Sequence, residues 1–241
     1  MSEQAITVEI VSENSLLIRC GTTIDVRLPL FIADLTRHLQ DKLGRLISEL
    51  VPAYTSLLVI TDEQQVNIFS FQEKVEQAIL AWKSQNPEKN ITSSIANSSL
   101  VKIPVYYGEE VAPELEHIAN NTALDTDEVI QLHHQPIYVV FTLGFAPGFA
   151  YMGKVDVRIA EPRLATPREK VVKGSVGIAD LQTGIYPQNS PGGWNIIGRT
   201  PKKMWHIDSN CNLLCPLKAG DKVKFFPIDR HEFLDLGGEL Q

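Results

Sequence analysis

The chain has 241 residues, 44% of them hydrophobic, and a net charge of −7. That is enough for one large or two ordinary domains with a normal globular composition. The acidic balance argues against a nucleic-acid binder, which carries a basic footprint. Three scattered cysteines, Cys20, Cys211 and Cys215, are too few for a disulfide framework. Cys211 and Cys215 lack the close pairing of a zinc knuckle. All three read as reduced, which suits the cytoplasm. The start, Met1-Ser-Glu-Gln, has no basic region and no apolar stretch after it, so no signal peptide is expected.

In chain order, Thr7–Ser12 and Leu16–Cys20 read as a hairpin around Glu13-Asn14. Ile32, Leu35, Leu39, Leu43, Leu46, Ile47 and Leu50 recur at steps of mostly three and four, which predicts one amphipathic helix. Pro29 suits its first turn and Pro52 stops it. Leu57–Ile60 reads as a buried strand and Phe71–Trp82 as a second helix, making a small α+β layer. The polar stretch Ser84–Ser99 places a boundary between domains 1–92 and 93–241. Val101–Tyr106 is then a strand. Helices follow over Pro113–Asn121 and Thr126–His133, the second opened by a capping-box pair, Asp125 and Glu128.

From Ile137 onward the apolar runs are short: Ile137–Leu143, Val155–Ile159, Val176–Ala179, Asn195–Gly198, Met204–Ile207 and Lys222–Phe226. Breaks of Gly and Pro between them suggest an all-β barrel or sandwich. The charge-free run Gln135–Gly153 approaches membrane-spanning length. Its two prolines and three glycines make it a buried strand entering a turn instead. Charge is uneven. Between Lys154 and Lys203 nine basic residues face four acidic ones, a local +5 that leaves −12 elsewhere. That field favours an anionic ligand, or is simply a solvated barrel surface.

Chemistry concentrates between Phe141 and Pro201. Gly148-Phe-Ala-Tyr-Met-Gly153-Lys154 has the spacing of a phosphate-binding loop. It lacks the following Ser or Thr, and strand-like alternation succeeds it where a helix is required. No zinc-protease helix motif, nucleophile elbow or dinucleotide fingerprint occurs. His133 and His134 are adjacent and do not chelate from a helix. They read as a charge interaction at the helix end, or as orienting a group there. Ser175, Ser190 and Thr200 have no identifiable base. A binding constellation remains. Phe145, Phe149, Tyr151, Tyr186 and Trp194 offer apolar walls, or else barrel core. Arg168 and Arg199 offer forks for a carboxylate or phosphate, with Arg168 alternatively paired to Glu161 or Glu169. Backbone N–H groups of Gly148, Gly192 and Gly193 supply an anion nest. Pro147, Gln182 and Pro191 complete the candidate substrate-binding set. With no nucleophile or base, a binding or subunit role is favoured over a self-contained enzyme.

The chain resembles the family that holds the 5-oxoprolinase B subunit, allophanate hydrolase subunit 1 and the sporulation kinase A inhibitor. The resemblance rests on Val51–Val59, Pro104–Gly108, Val129–His133, Gly144–Gly153, Pro167-Arg168, Gly174–Ile178, Gln182–Pro187, Ser190–Trp194 and Ile197–Pro201. It implies an α+β amino-terminal domain followed by a cyclophilin-like β-barrel. It also implies a partner of the 5-oxoprolinase C type, with a similar barrel, and a third protein of the A type. Together these open 5-oxo-L-proline to L-glutamate at the expense of ATP, with the ATP site not assigned to this chain. Related paired domains transfer a carboxyl group from biotin, and another branch binds a sensor histidine kinase and blocks its autophosphorylation. No metal, membrane or nucleic acid is implied. Two segments depart from the family pattern. Val171-Val172-Lys173-Gly174 stands for Val-Pro-Ala-Gly, and Ala112-Pro113-Glu114-Leu115 for Gly-Pro-Asp-Leu.

Overall fold

The computed structural model describes residues 6–62, 66–85 and 100–240, which fall into two compact units. The expected boundary between residues 92 and 93 lies outside the described residues.

The first unit is an antiparallel sheet with two helices. Its strands are β1 (Thr7–Ser12), β2 (Ser15–Arg19), β3 (Ile47–Pro52) and β4 (Ser56–Thr61), in the order β1-β2-β4-β3. Leu16 faces Val59 and Ile18 faces Leu57 across the β2–β4 ladder, and all four are fully buried. Helices α1 (Leu28–Leu43) and α2 (Ile68–Gln85) supply the rest of this core through Ile32, Leu35, Leu39, Phe71 and Val75. Phe31 and Trp82 meet edge to face at 5.1 Å where the helices pack.

The predicted helix through Leu50 is corrected here. α1 ends at Leu43, a single 3₁₀ turn spans Gly44–Leu46, and Ile47–Pro52 is an edge strand. A bulge between Ile47 and Glu49 adds a residue to β3. Ile47 and Leu50 therefore both pack on the core at a spacing of three, which imitates a helix in the sequence. Pro52 is tolerated because β3 is at the sheet edge.

The second unit is a barrel-like sheet. Its strands are β5 (Leu100–Val105), β6 (Tyr138–Leu143), β7 (Ala150–Gly153), β9 (Ser175–Ala179), β10 (Gln182–Ile185), β12 (Asn195–Arg199) and β15 (Lys222–Pro227). Their order is β12-β9-β10-β7-β6-β15-β5, with only β15–β5 parallel. The sheet's two ends meet. Tyr106 N–H donates to Arg199 O and Arg199 N–H to Tyr106 O, both at 2.8 Å. Gly198 makes this approach possible: a Cβ there would stand 2.8 Å from Tyr106 O. Two ribbons lie outside the sheet, β8 (Arg168–Val171) with β11 (Ser190–Gly192), and β13 (His206–Ile207) with β14 (Leu213–Leu214). Helices α3 (Leu115–Thr122), α4 (Thr126–His134) and α5 (Arg230–Asp235) complete the unit. The capping box of α4 is present, Glu128 N–H donating to Asp125 at 2.7 Å and Asp125 N–H to Glu128 at 2.9 Å.

Two further expectations are corrected. Val155–Ile159 is not a strand: the Asp156 carboxylate accepts from Arg158 N–H at 3.0 Å and folds Val157–Ile159 into a 3₁₀ turn. Val157 is accordingly 76% exposed between buried Val155 and Ile159. Of Met204–Ile207, only His206–Ile207 is extended. Among the described residues no helix is long and apolar enough to cross a membrane.

His133 does not act as a helix-end charge. It is fully buried, stacked 4.8 Å from Phe225, with Nδ1 2.8 Å from Tyr107 Oη and Nε2 2.9 Å from Thr183 Oγ1. Thr183 donates its own proton to Gly177 O at 3.1 Å, so its oxygen accepts from Nε2–H, and Nδ1 accepts from Tyr107. Burial, and then the charge of His134, push the imidazole from 6.5 down to about 3. The ring is neutral in the folded protein, whereas the unfolded chain takes up a proton below about 6.5. Stability is therefore complete above that pH and falls as the pH drops toward 3, at about 1.4 kcal/mol per unit for this one group. Urea unfolding between pH 7 and pH 4 measures that slope, and His133→Gln should flatten it.

Candidate functional site

Successive residues on these strands face opposite sides of the sheet. Met152, Val176, Ile178, Ile185 and Ile197 point into the main core. Phe149, Ala179, Tyr186, Trp194 and Ile196 form a second, separate cluster, joined by Val171 of β8 and by half-buried Tyr151. Gly184 and Gly177 are cross-strand partners on this face. A Cβ at Gly184 would stand 3.1 Å from both the Phe149 and Trp194 rings, so the bare backbone is the floor on which they lie. Phe149 meets Tyr186 at 5.4 Å and Trp194 at 5.5 Å, nearly perpendicular to each.

Phe145 completes the set differently. It is 62% exposed, 5.3 Å from the Phe149 ring and 6.3 Å from that of Tyr186. Its φ of 70° is in the left-handed region, where a bulky residue is strained. Hydrogen bonds within the turn hold it there, Ala146 N–H to Gly144 O at 2.8 Å and Phe149 N–H to Ala146 O at 3.0 Å. Strain that holds an aromatic ring out in solvent, over a cluster of other rings, makes this face a candidate binding surface.

Two arginines, Arg163 and Arg168, act on the Tyr186 hydroxyl beside these rings. Arg168 on β8 lies opposite Gly192 on β11 and forms an ion pair with Glu114, not with Glu161 or Glu169. Glu114 is buried. It also accepts from Ile196 N–H at 2.7 Å, and its own N–H donates to Ile196 O at 3.1 Å. The carboxylate thus ties β12 to the β8–β11 ribbon and fixes the guanidinium. Nη1 of Arg168 is buried with no hydrogen-bond partner among the described residues. Burial pushes the Tyr186 hydroxyl above its ordinary range, partly offset by a backbone hydrogen bond from Trp194 and by the charges of Arg163 and Arg168. The rings and two arginines therefore share one field.

The other expected residues are more dispersed. Pro147 and Pro191 are exposed, and Gly148 is buried against Met204 O. Gln182 opens β10 opposite Ala179 and Gly153. Gly193 O accepts from Leu164 N–H at 2.7 Å. Arg199 is not with the rings. Its Nη1 donates to Glu239 O at 2.7 Å, and it lines a separate cleft. Sequence reading missed Glu114 and Arg163. Glu114 stands in a segment already noted as unusual, but its link to Arg168 spans 54 positions and follows only from the fold. Among the described residues no group of three or more His, Cys, Asp or Glu could hold a metal ion.

The profile described as "Carboxyltransferase domain, subdomain C and D" matches residues 6–215. A protein of Bacillus subtilis (strain 168), named as the B subunit of 5-oxoprolinase, is 37% identical over 235 residues, 94% of each chain. One of the same name from Escherichia coli O157:H7 is 34% identical, covering 75% of this chain and 78% of that protein. Among solved structures, the Kluyveromyces lactis urea carboxylase superposes with a TM-score of 0.67 at 18% identity, over 98% of this chain and 23% of that one, a likeness of fold. The chain belongs to the carboxyltransferase domain, subdomain C and D family, and within it to the group of 5-oxoprolinase B subunits.

The two kinds of aromatic separate on substitution. Trp194→Ala removes a 96%-hidden ring and should cost about 3–5 kcal/mol in chemical denaturation. Phe145→Ala should change stability by less than about 1 kcal/mol, since its ring is mostly solvated.

Proposed function

We propose that this chain is the B subunit of an ATP-dependent 5-oxoprolinase, acting with A-type and C-type partners to open 5-oxo-L-proline to L-glutamate in the cytoplasm. The carrying observation is the 37% identity, over 94% of both chains, to the Bacillus subtilis protein of that name. The chemistry of the aromatic face supports it. 5-Oxoproline is a small flat ring bearing one carboxylate. Phe145 and Tyr186 offer ring faces, and Arg163 and Arg168 the complementary charge.

A lactam amide is a poor electrophile; ATP bound in the complex would supply the phosphoryl group that activates the lactam oxygen, so that one water can add at the carbonyl carbon, the ring C–N bond can break as its nitrogen takes a proton, and a second water can release phosphate. The residues of this face bind and orient. Arg168, fixed by Glu114, holds the carboxylate, and the rings exclude water from one side of the lactam. The carboxylate on this face, Glu114, is already engaged by Arg168 and by Ile196 N–H. His133 lies in the core, neutral and hydrogen-bonded at both nitrogens. Partner proteins therefore supply the proton transfers, and this chain alone is inactive. The family description is compatible with carboxyl transfer as a second reading.

Glutamate release from 5-oxoproline and ATP, measured with this chain alone and with its candidate partners, tests the proposal. Release is expected only in the full mixture. Arg168→Lys keeps the charge beside Glu114 but loses the fork, and should raise KM for 5-oxoproline about tenfold with kcat less affected. Phe145→Ala should weaken the same KM while leaving the melting temperature nearly unchanged. No release with folded, bound partners would move the assignment to carboxyl transfer or to binding of a sensor kinase.

A further inference from the structure

The cleft that holds Arg199 is distinct from the aromatic face. It encloses about 340 Å³, and its lining includes Lys173, Arg199, Lys202 and Lys203, with Asn189 and Trp205. Arg199 is 7% exposed, its backbone fixed by the bonds that close the barrel. Among the lining residues one anion, Glu239, faces these four cations, and the chain's own carboxy-terminal segment delivers it. Helix α5 ends in a left-handed turn at Gly237 (φ 82°), with Gly237 N–H on Leu234 O at 2.9 Å and Gly238 N–H on Phe233 O at 2.8 Å. The turn sends the chain back across the cleft. There Glu239 meets Lys173 Nζ at 2.8 Å, and its main-chain oxygen takes the Arg199 guanidinium at 2.7 Å. Lys173, and then Arg199, hold the Glu239 carboxyl below its usual range. Counting Glu239, the lining keeps a net charge of +3.

We infer that this cleft is a binding site for a phosphate-bearing anion, in which the Glu239 carboxylate is an internal competitor. A net +3 around a volume of this size suits a di- or triphosphate chain better than a single carboxylate. Lys202 and Lys203 would take the far phosphates. Lys173 and Arg199 would take the nearest one as Glu239 withdraws. The cleft and its charges carry this assignment alone, so it stands or falls independently of the 5-oxoprolinase reading.

Calorimetric titration of the whole chain with sodium tripolyphosphate, at low and at physiological salt, tests it. Citrate serves as a carboxylate of comparable charge. Saturable binding is expected, weakening with salt. Lys202→Ala/Lys203→Ala should weaken it about tenfold or more. Glu239→Gln, which removes the competitor, should tighten it about threefold. Both changes are at solvent-accessible side chains, and matching thermal melts confirm folding. Absence of binding in both the unaltered chain and Glu239→Gln overturns the proposal. So does unchanged affinity in the double-lysine variant, or binding of citrate without tripolyphosphate.

Discussion

Two backbone hydrogen bonds between Tyr106 and Arg199 set the terms for the second unit. They join the first and last strands of a seven-stranded sheet and so give it an inside and an outside. Every later distinction rests on that division. Inside, Ile178, Ile185 and Met152 pack with Val223 and Phe225. Outside, Phe149, Tyr186 and Trp194 lie on a bare strip of backbone at Gly177 and Gly184. Gly198 belongs to the same logic, since any side chain there would strike Tyr106. Gly148, Gly192 and Gly198 are positions where strands, rings and loops come too close for a Cβ.

Polar groups are divided by the same wall. The chain Tyr107–His133–Thr183–Gly177 O is fully buried and fully bonded, and it keeps a neutral imidazole in the core. Such a network specifies one arrangement of α4 against the sheet, because any slip leaves a donor unpaired. Glu114 does comparable work outside, holding β12 with one oxygen and Arg168 with the other.

How much of this was legible beforehand differed by element. α4 was readable because its signals are local: the pair Asp125 and Glu128 is a capping box in sequence and in space. The other strands of the first unit were readable from the turn at Glu13-Asn14 and the apolar run Leu57–Ile60; β3 was not, because the bulge at Ile47–Glu49 replaces a period of two with a step of three. Strands β7, β8, β10 and β11 went unseen. They are three or four residues long and contain Gly or polar residues where an apolar run would be the signal. The aromatic motifs share one neighbourhood, although Tyr186 and Trp194 come from far along the chain from Phe145, Phe149 and Tyr151. Arg199 shows the limit. It shares the motif region with Trp194, yet it points to a different cleft, and nothing short of the closed sheet separates the two.

The parallel pairing of β5 with β15 has a consequence for biosynthesis. β5 opens the second unit, yet Leu100 through Val105 find their ladder partners in Lys222 through Pro227, and Tyr106 finds its partner in Arg199. A chain emerging from the ribosome has made β5 long before either neighbour exists. Until then the strand presents two open edges, and neither can be satisfied locally. The polypeptide must carry this segment unpaired through most of the second unit's synthesis, and the last strand commits the whole barrel at once.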